Sequence, residues 1–346
     1  MDKVFITGNE AAVRGAIDAG AKIMYGYPIT PATEILQGWI KNADSRPEEG
    51  HKYLQTEDEI AAGFGVIGSI LAGTKAFTAS AGPGHILLQD PLAMAENLRL
   101  PFVGIMMQRG GPSTGTVNFS QQEVNLAAFG GNGDGLRIVY SASSVAEMYE
   151  YTIKAFDAAW KYRFPTILLG DGYLGKMTSS VELKKPLKPY SSSRILLENH
   201  RSSTNMRNCF SSEEEFGKVL AEHIADWKQN AGKIAEFEKY KTTDARELII
   251  AHGLVAAACK DAVLALRQSK LKIGLWRPIT LNPFSGEQLR SLAKRMKKIY
   301  IFESSLNQLS RIVKYELSGL KLDIIEVPKP AEGFTPDEII NKIRNR

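Results

Sequence analysis

Apolar runs alternate with helix-length mixed stretches through the first half of the chain. Val4-Phe5-Ile6 reads as a strand, and Gly8-Asn9-Glu10 opens a helix that ends before Gly20. Lys22-Ile23-Met24-Tyr25 is a second strand, closed by a turn that holds Pro28 and Pro31. Lys52-Tyr53-Leu54 is a short strand, followed by a helix from about Asp58 to Leu71. The strand Ala76-Phe77-Thr78 and the loop Ser80-Ala81-Gly82-Pro83-Gly84 come next. Pro101 through Met107 is almost wholly apolar, as parallel strands covered on both faces are. Arg137–Tyr140 and Thr166–Leu169 are two more strands, around a helix between about Val145 and Trp160. Strands separated by helix-length segments predict a doubly wound α/β domain over residues 1–177.

From Thr178 the pattern changes. Lys184-Lys185-Pro186-Leu187-Lys188-Pro189 and Ser191-Ser192-Ser193 read as linker, and a charged, solvated helix is expected from about Ser212 to Tyr240, so residues 178–245 form a connecting segment. A second βα set begins at Glu247-Leu248-Ile249-Ile250 and continues through Ile273-Gly274-Leu275, Ile299–Phe302 and Asp323-Ile324-Ile325. These predict a second, smaller α/β domain over residues 246–346.

Composition narrows the field mainly by exclusion. The 346 residues are 44% hydrophobic and 23% charged, enough for two cores and typical of a globular enzyme. No apolar run approaches the roughly 18 residues that a membrane helix needs, and the first residues carry no signal-like pattern, so no membrane partner and a cytoplasmic location are expected. Cys209 and Cys259 stand far apart, which argues for a reducing compartment and against a zinc or iron–sulfur site built by this chain alone. A net charge of +5, without a basic stripe, gives no reason to expect nucleic acid and permits an acidic protein partner.

The chemistry concentrates at a few positions. Thr30, between Ile29 and Pro31, reads either as a helix N-cap or as a hydroxyl offered to an anionic substrate. Glu59 closes a Thr56-Glu57-Asp58-Glu59 capping-box pattern, yet it heads the very apolar run Ile60–Gly68, where a buried carboxylate that shares a proton would be a catalytic device. Glu57 and Asp58 read as surface or helix-dipole charges. Arg109 ends the most apolar strand, as a structural ion-pair partner or as a fork for a carboxylate ligand, and Gly110-Gly111-Pro112 lets the backbone turn sharply behind it. Gly133-Asp134-Gly135 and Gly170-Asp171-Gly172 imitate a magnesium motif, with Asn199 at a tempting distance, but read as turns. Ser113, Ser120 and His85 lack the Gly-x-Ser-x-Gly elbow of a hydrolase, and no Walker or Gly-x-Gly-x-x-Gly signature supports a nucleotide enzyme.

Tyr27-Pro28-Ile29-Thr30-Pro31-Ala32-Thr33-Glu34 resembles a signature of the 2-oxoacid:ferredoxin oxidoreductase alpha subunits. The resemblance continues through Glu57–Ala62, Phe77–Gly84, Gln108–Gly115, Leu275–Phe284 and Phe302–Leu309, and so covers nearly the whole chain outside the charged connector. It implies a thiamine diphosphate pyrimidine-binding domain followed by a transketolase C-terminal-like domain. It implies that Glu59 hydrogen-bonds the cofactor's aminopyrimidine, with Pro28 and Ile29 also at the cofactor, and that Thr30, Arg109 and Tyr27 contact substrate. It places the diphosphate, Mg2+ and a [4Fe-4S] cluster in a beta subunit, allows gamma and delta subunits, and makes coenzyme A and ferredoxin co-substrates. Ala32 and Ala81 stand where the family commonly has Ser, and Asn118–Glu123 departs from the usual loop. The pattern is nearest the 2-oxoglutarate group, with branched-chain 2-oxoacids second. A lipoamide-type dehydrogenase component and a non-catalytic scaffold subunit are the rival readings.

Overall fold

A computed structural model describes residues 3–184 and 206–345. Most of the Lys/Pro/Ser stretch read as linker, and Asn199, lie outside the described residues. The first elements are β1 (Lys3–Thr7), α1 (Gly8–Asp18), β2 (Ile23–Gly26), α2 (Thr33–Ser45), β3 (Lys52–Gln55), α3 (Glu59–Leu71) and β4 (Ala76–Ser80). They are followed by α4 (Pro83–Leu87), α5 (Gln89–Asn97), β5 (Val103–Gln108), α6 (Val124–Phe129), β6 (Ile138–Ser141), α7 (Val145–Tyr162) and β7 (Thr166–Asp171). Then come α8 (Gly172–Lys176), β8 (Thr178–Glu182), α9 (Glu213–Ile234), β9 (Phe237–Tyr240), β10 (Glu247–Ile250), α10 (Gly253–Gln268) and β11 (Ile273–Pro278). The last are β12 (Thr280–Asn282), α11 (Gly286–Ala293), β13 (Lys298–Glu303), α12 (Gln308–Glu316), β14 (Asp323–Pro328) and α13 (Pro336–Arg344).

Two parallel sheets organise the molecule. The first has the order β12-β6-β7-β5-β4-β2-β3, and the second β14-β13-β10-β11-β9. Each is parallel except for one antiparallel edge strand, β12 on β6 and β9 on β11. Those two edges are exchanged along the chain: β9 precedes the second set of strands, and β12 leaves it to finish the first sheet. The expected charged helix therefore stops at Ile234, because Phe237–Tyr240 is a strand. The strand at Val4-Phe5-Ile6 also stays out of the main sheet; among the described residues β1 pairs only with β8, in a separate antiparallel ribbon.

Central strands β4, β5, β6 and β7 are buried along their whole length, which is why they read as continuous apolar runs rather than as alternation. On one face, α1 and α7 cross so closely that a Cβ at Gly15 would lie 2.6 Å from the Tyr149 carbonyl. Trp39, Phe77 and Phe156 stack edge-on beneath that face, with centroids 5.0 and 5.9 Å apart. On the other face, one apolar cluster runs from Phe102 and Leu169 of the first sheet into Leu248, Trp276 and Ile301 of the second, so the halves share a core. At about 1.5–3 kcal/mol for each large side chain buried, that shared cluster alone fixes their mutual position.

A buried ion pair sits on the same seam. Arg277 of β11 donates Nη2 and Nη1 to the two carboxylate oxygens of Glu147 on α7, at 2.6 and 2.8 Å. Nη2 also donates to the Ser141 carbonyl. Burial pushes the Glu147 carboxyl up, but the Arg277 fork and the Ser143 donors outweigh it and hold it below the ordinary value.

Candidate active site

The site gathers at the carboxyl ends of three adjacent strands, β5, β4 and β2, the rim where open α/β sheets bind ligands. Helix α3 delivers Glu59 there. The Asp58 side chain accepts the Ala61 N–H at 2.7 Å and is the N-cap, while the Thr56 hydroxyl donates to the Asp58 carbonyl. Glu59 is the first helical residue, so the capping-box reading is corrected: Asp58 does the capping, and Glu59 does not fold back on a cap at Thr56. The Glu59 carboxylate is thereby released to turn inward, and the residue is 3% exposed.

Inside, Ser80 Oγ donates to Glu59 Oε1 at 3.3 Å. Gly84 closes against the same oxygen: a Cβ there would fall 1.9 Å from Oε1 and 2.2 Å from the Ser80 hydroxyl. No other residue type fits at position 84 without moving the carboxylate. Burial raises the Glu59 pKa above the ordinary glutamate value, and the Ser80 hydrogen bond and Arg109 charge offset it only in part. A carboxyl of this kind holds its proton at higher pH than a surface glutamate.

Arg109 follows β5 and is 5% exposed. Its Nη1 donates to the Thr30 carbonyl at 2.7 Å, and its Nε has no partner among the described residues. Arg109 and Thr30 are thus brought together at the rim beside Glu59. The Thr30 cap reading is corrected: α2 begins at Thr33 with Ala32 as N-cap, which has no side-chain oxygen to give, and the Thr30 hydroxyl carries no capping duty. Tyr27 and Pro28 are exposed on the same turn, and Ile29 is half-buried.

The remaining motifs go elsewhere. Asp171 caps α8, accepting the Leu174 N–H at 2.9 Å; burial pushes its carboxyl up to about 7 despite the backbone donors. Asp134 lines a cleft of about 440 Å³ between α5 and α9, away from Glu59. The Ser120 hydroxyl donates to Gln122, not to His85, and Ser113 is exposed. Sequence reasoning missed Glu123, whose carboxylate receives the backbone N–H groups of Gly82 and Arg109 and the ring of His85. Its only signal was a charge just before a helix, which reads equally well as a dipole partner.

A buried glutamate whose charge no basic side chain pairs among the described residues, an arginine with an unused buried donor, and a glycine packed on the carboxylate meet at the mouth of a doubly wound sheet. The profile described as pyruvate flavodoxin/ferredoxin oxidoreductase, thiamine diphosphate-binding, matches residues 14–238, and that of pyruvate:ferredoxin oxidoreductase core domain II matches residues 245–337. The chain belongs to this family of 2-oxoacid oxidoreductases, and its first matched region is a thiamine diphosphate-binding domain.

Within the family, the chain is 33% identical to the 2-oxoglutarate synthase subunit KorA of Methanothermobacter marburgensis, over 99% of this chain and 98% of that one. It is 35% identical to the ketoisovalerate oxidoreductase subunit VorB of the same organism, over 91% and 90%. Its fold superposes on a 2-oxoglutarate:ferredoxin oxidoreductase from Magnetococcus marinus, solved with 2-oxoglutarate, coenzyme A and succinyl-CoA bound, at a TM-score of 0.86 and 27% identity. That match covers 99% of this chain and 65% of the longer one. A split-gene transketolase shares the fold alone, at a TM-score of 0.60 and 12% identity.

Proposed function

We propose that this chain is the alpha subunit of a coenzyme A-acylating 2-oxoacid:ferredoxin oxidoreductase that acts on 2-oxoglutarate. The observation that carries the reading is Glu59: buried, its charge unpaired by any basic side chain among the described residues, raised in pKa and cradled by Gly84 beside Arg109. A buried carboxyl raised in pKa suits a ring nitrogen, so Glu59 would hold the aminopyrimidine of thiamine diphosphate, with Pro28 and Ile29 at the cofactor as the family resemblance implies. When bound, that cofactor supplies the electron sink for loss of the 2-oxoacid carboxylate as CO2.

The chain's own residues do the rest. Glu59 holds and returns a proton at the pyrimidine nitrogen. Arg109 would offer its guanidinium to the substrate carboxylate, with the Thr30 hydroxyl and Tyr27 on the turn that its Nη1 grips, so the 2-oxoacid is fixed before it reacts. In the assembled enzyme the overall reaction would convert the 2-oxoacid and coenzyme A into acyl-CoA, CO2 and a proton while two one-electron ferredoxins are reduced.

This chain holds only two cysteines, and Cys259 is buried in the second core. That suits a [4Fe-4S] cluster held by a beta subunit; on the family resemblance the Mg2+ and the diphosphate would sit there too, with gamma and delta subunits as further members of a cytoplasmic assembly. A branched-chain 2-oxoacid is the second reading, supported by the VorB likeness at 35% identity. The test is co-expression with the beta subunit, followed by coenzyme A-dependent viologen reduction across a panel of 2-oxoacids. Turnover with 2-oxoglutarate is expected. Preference for 2-oxoisovalerate would replace the substrate, and an assembled, thiamine-loaded complex with no turnover would leave a scaffold subunit.

A further inference from the structure

A short segment between Arg109 and α6 ties the two halves of the molecule to opposite sides of the site. Gln121 is fully buried, and both ends of its side chain go to loops of the second sheet. Its Nε2 donates to the His252 carbonyl at 2.8 Å, its Oε1 accepts the Ser304 N–H at 2.9 Å, and its own N–H donates to the Ser304 carbonyl at 3.0 Å. Gln308, the first residue of α12, grips the same segment from beyond: its Nε2 donates to the Gln122 carbonyl at 2.7 Å and its Oε1 accepts the Asn125 N–H at 2.9 Å.

Glu123 reaches the other way. Its Oε1 accepts the N–H groups of Gly82 at 3.0 Å and Arg109 at 3.1 Å, and its Oε2 pairs with His85 Nδ1 at 2.8 Å. Gly82 and His85 bracket Gly84, the residue that closes on the Glu59 carboxylate. One buried carboxylate therefore holds the loop under Glu59 and the backbone of Arg109 together. Between them, Gln122 Oε1 accepts the Gly111 N–H at 3.1 Å, pinning the residues just past Arg109. Three hydrogen bonds thus converge on one side chain and tie together loops that lie beyond the strands of the sheet.

We propose that Glu123 is a positioning residue that sets Arg109 for the substrate carboxylate, and that Gln121 couples this setting to the second α/β half. The placement of that half then governs affinity for the 2-oxoacid. The inference rests on the reading of Arg109 as the substrate's counter-ion. It accounts for Gln121, far from any reacting atom, being saturated by the second half while its near neighbour Glu123 faces the site.

The experiment uses the assembled complex with Glu123→Gln and Gln121→Ala, each alone and combined with Arg109→Lys. Glu123→Gln is expected to raise KM for the 2-oxoacid about ten- to a hundredfold with kcat held within about threefold, as misplacement of a binding group does. Gln121→Ala should move KM in the same direction by about three- to tenfold, and both effects should largely vanish on Arg109→Lys. Additive effects, or a fall in kcat at constant KM, would overturn the proposal. Amide hydrogen exchange supplies a second reading that needs no turnover. Protection at Gly82 and Arg109 should fall in Glu123→Gln, and at Arg109 in Gln121→Ala, while β7 keeps its protection; unchanged exchange at Arg109 in both variants also overturns it. An assembly that turns over no 2-oxoacid counts against the proposed function, and the exchange result then decides the positioning role by itself.

Discussion

Glu59 is a buried and Glu147 a partly buried carboxylate, each at the head of a helix, and their surroundings are opposite. Glu147 lies on the seam between the halves, gripped by the Arg277 fork and by the Ser143 N–H and hydroxyl, and its carboxyl is held ionised. Glu59 lies at the rim with one serine hydroxyl and a glycine wall, and burial pushes it toward the neutral form. A satisfied charge is a fastener, because taking away one partner strands the other in a poorly polarisable place. An unsatisfied one is a reagent, since its proton is free to move. The contrast marks Glu147 as a structural carboxylate and Glu59 as the one open to the chemistry proposed for it.

Breaking the comparison at the rim should give the largest effect. Glu59→Gln keeps the volume and removes the movable proton, so turnover of the assembled complex should drop about 10²–10⁴-fold in a steady-state assay. Its thermal stability should be unchanged or slightly higher at alkaline pH, since the raised carboxyl is the form that loses stability as pH rises through its folded-state value. A variant that assembles and retains full turnover would remove Glu59 from the chemistry.

At the seam the outcome should reverse. Glu147→Ala strips the bidentate partner from the buried Arg277, leaving Nη1 only the longer 3.3 Å bond to Glu238, and should cost about 3 kcal/mol in chemical denaturation. Once the protein is folded, the chemical step at the rim should be little affected. A loss of kcat that exceeds the loss of folded protein would mean that the seam is part of the reaction machinery.

Asp171 sharpens the comparison because it stands between the two: it receives backbone N–H groups, like a fastener, but has no counter-charge among the described residues. Its folded-state value of about 7 exceeds the ordinary 3.8, so the folded protein holds the extra proton across that window. Stability should therefore fall as pH rises from about 4 to about 7, by on the order of a few kcal/mol at most. Asp171→Asn, which still caps α8, should flatten that part of the melting-temperature profile. An unchanged profile would place the proton elsewhere.

Much of this was legible in the chain itself, for identifiable reasons. Strands β4, β5 and β7 are buried on both faces, and a continuous apolar run as short as Pro101–Met107, bounded by a proline and an arginine, suits a covered strand better than an amphipathic helix. Glu59 stood out because a carboxylate before Ile60–Gly68 had no water to face. Other features left no local trace. Four-residue strands such as β9 look alike whichever sheet they join, so the exchange of β9 and β12 could only appear in three dimensions. Asp58 and Glu59 both fit a helix start, and a one-residue difference decides which is the cap and which turns inward. Glu123 was invisible because its three partners, Gly82, His85 and Arg109, lie far from it in sequence and meet it only in the fold.

The exchanged edge strands bear on how the polypeptide can be divided. A cut near Arg246 would leave β9 on the first fragment and β12 on the second, so each piece would carry a strand that completes the other's sheet. Neither piece is a self-sufficient module, and each presents a template for recapturing its mate. The chain behaves as an interlocked pair, and a gene break at that point would be healed by assembly rather than by covalent continuity.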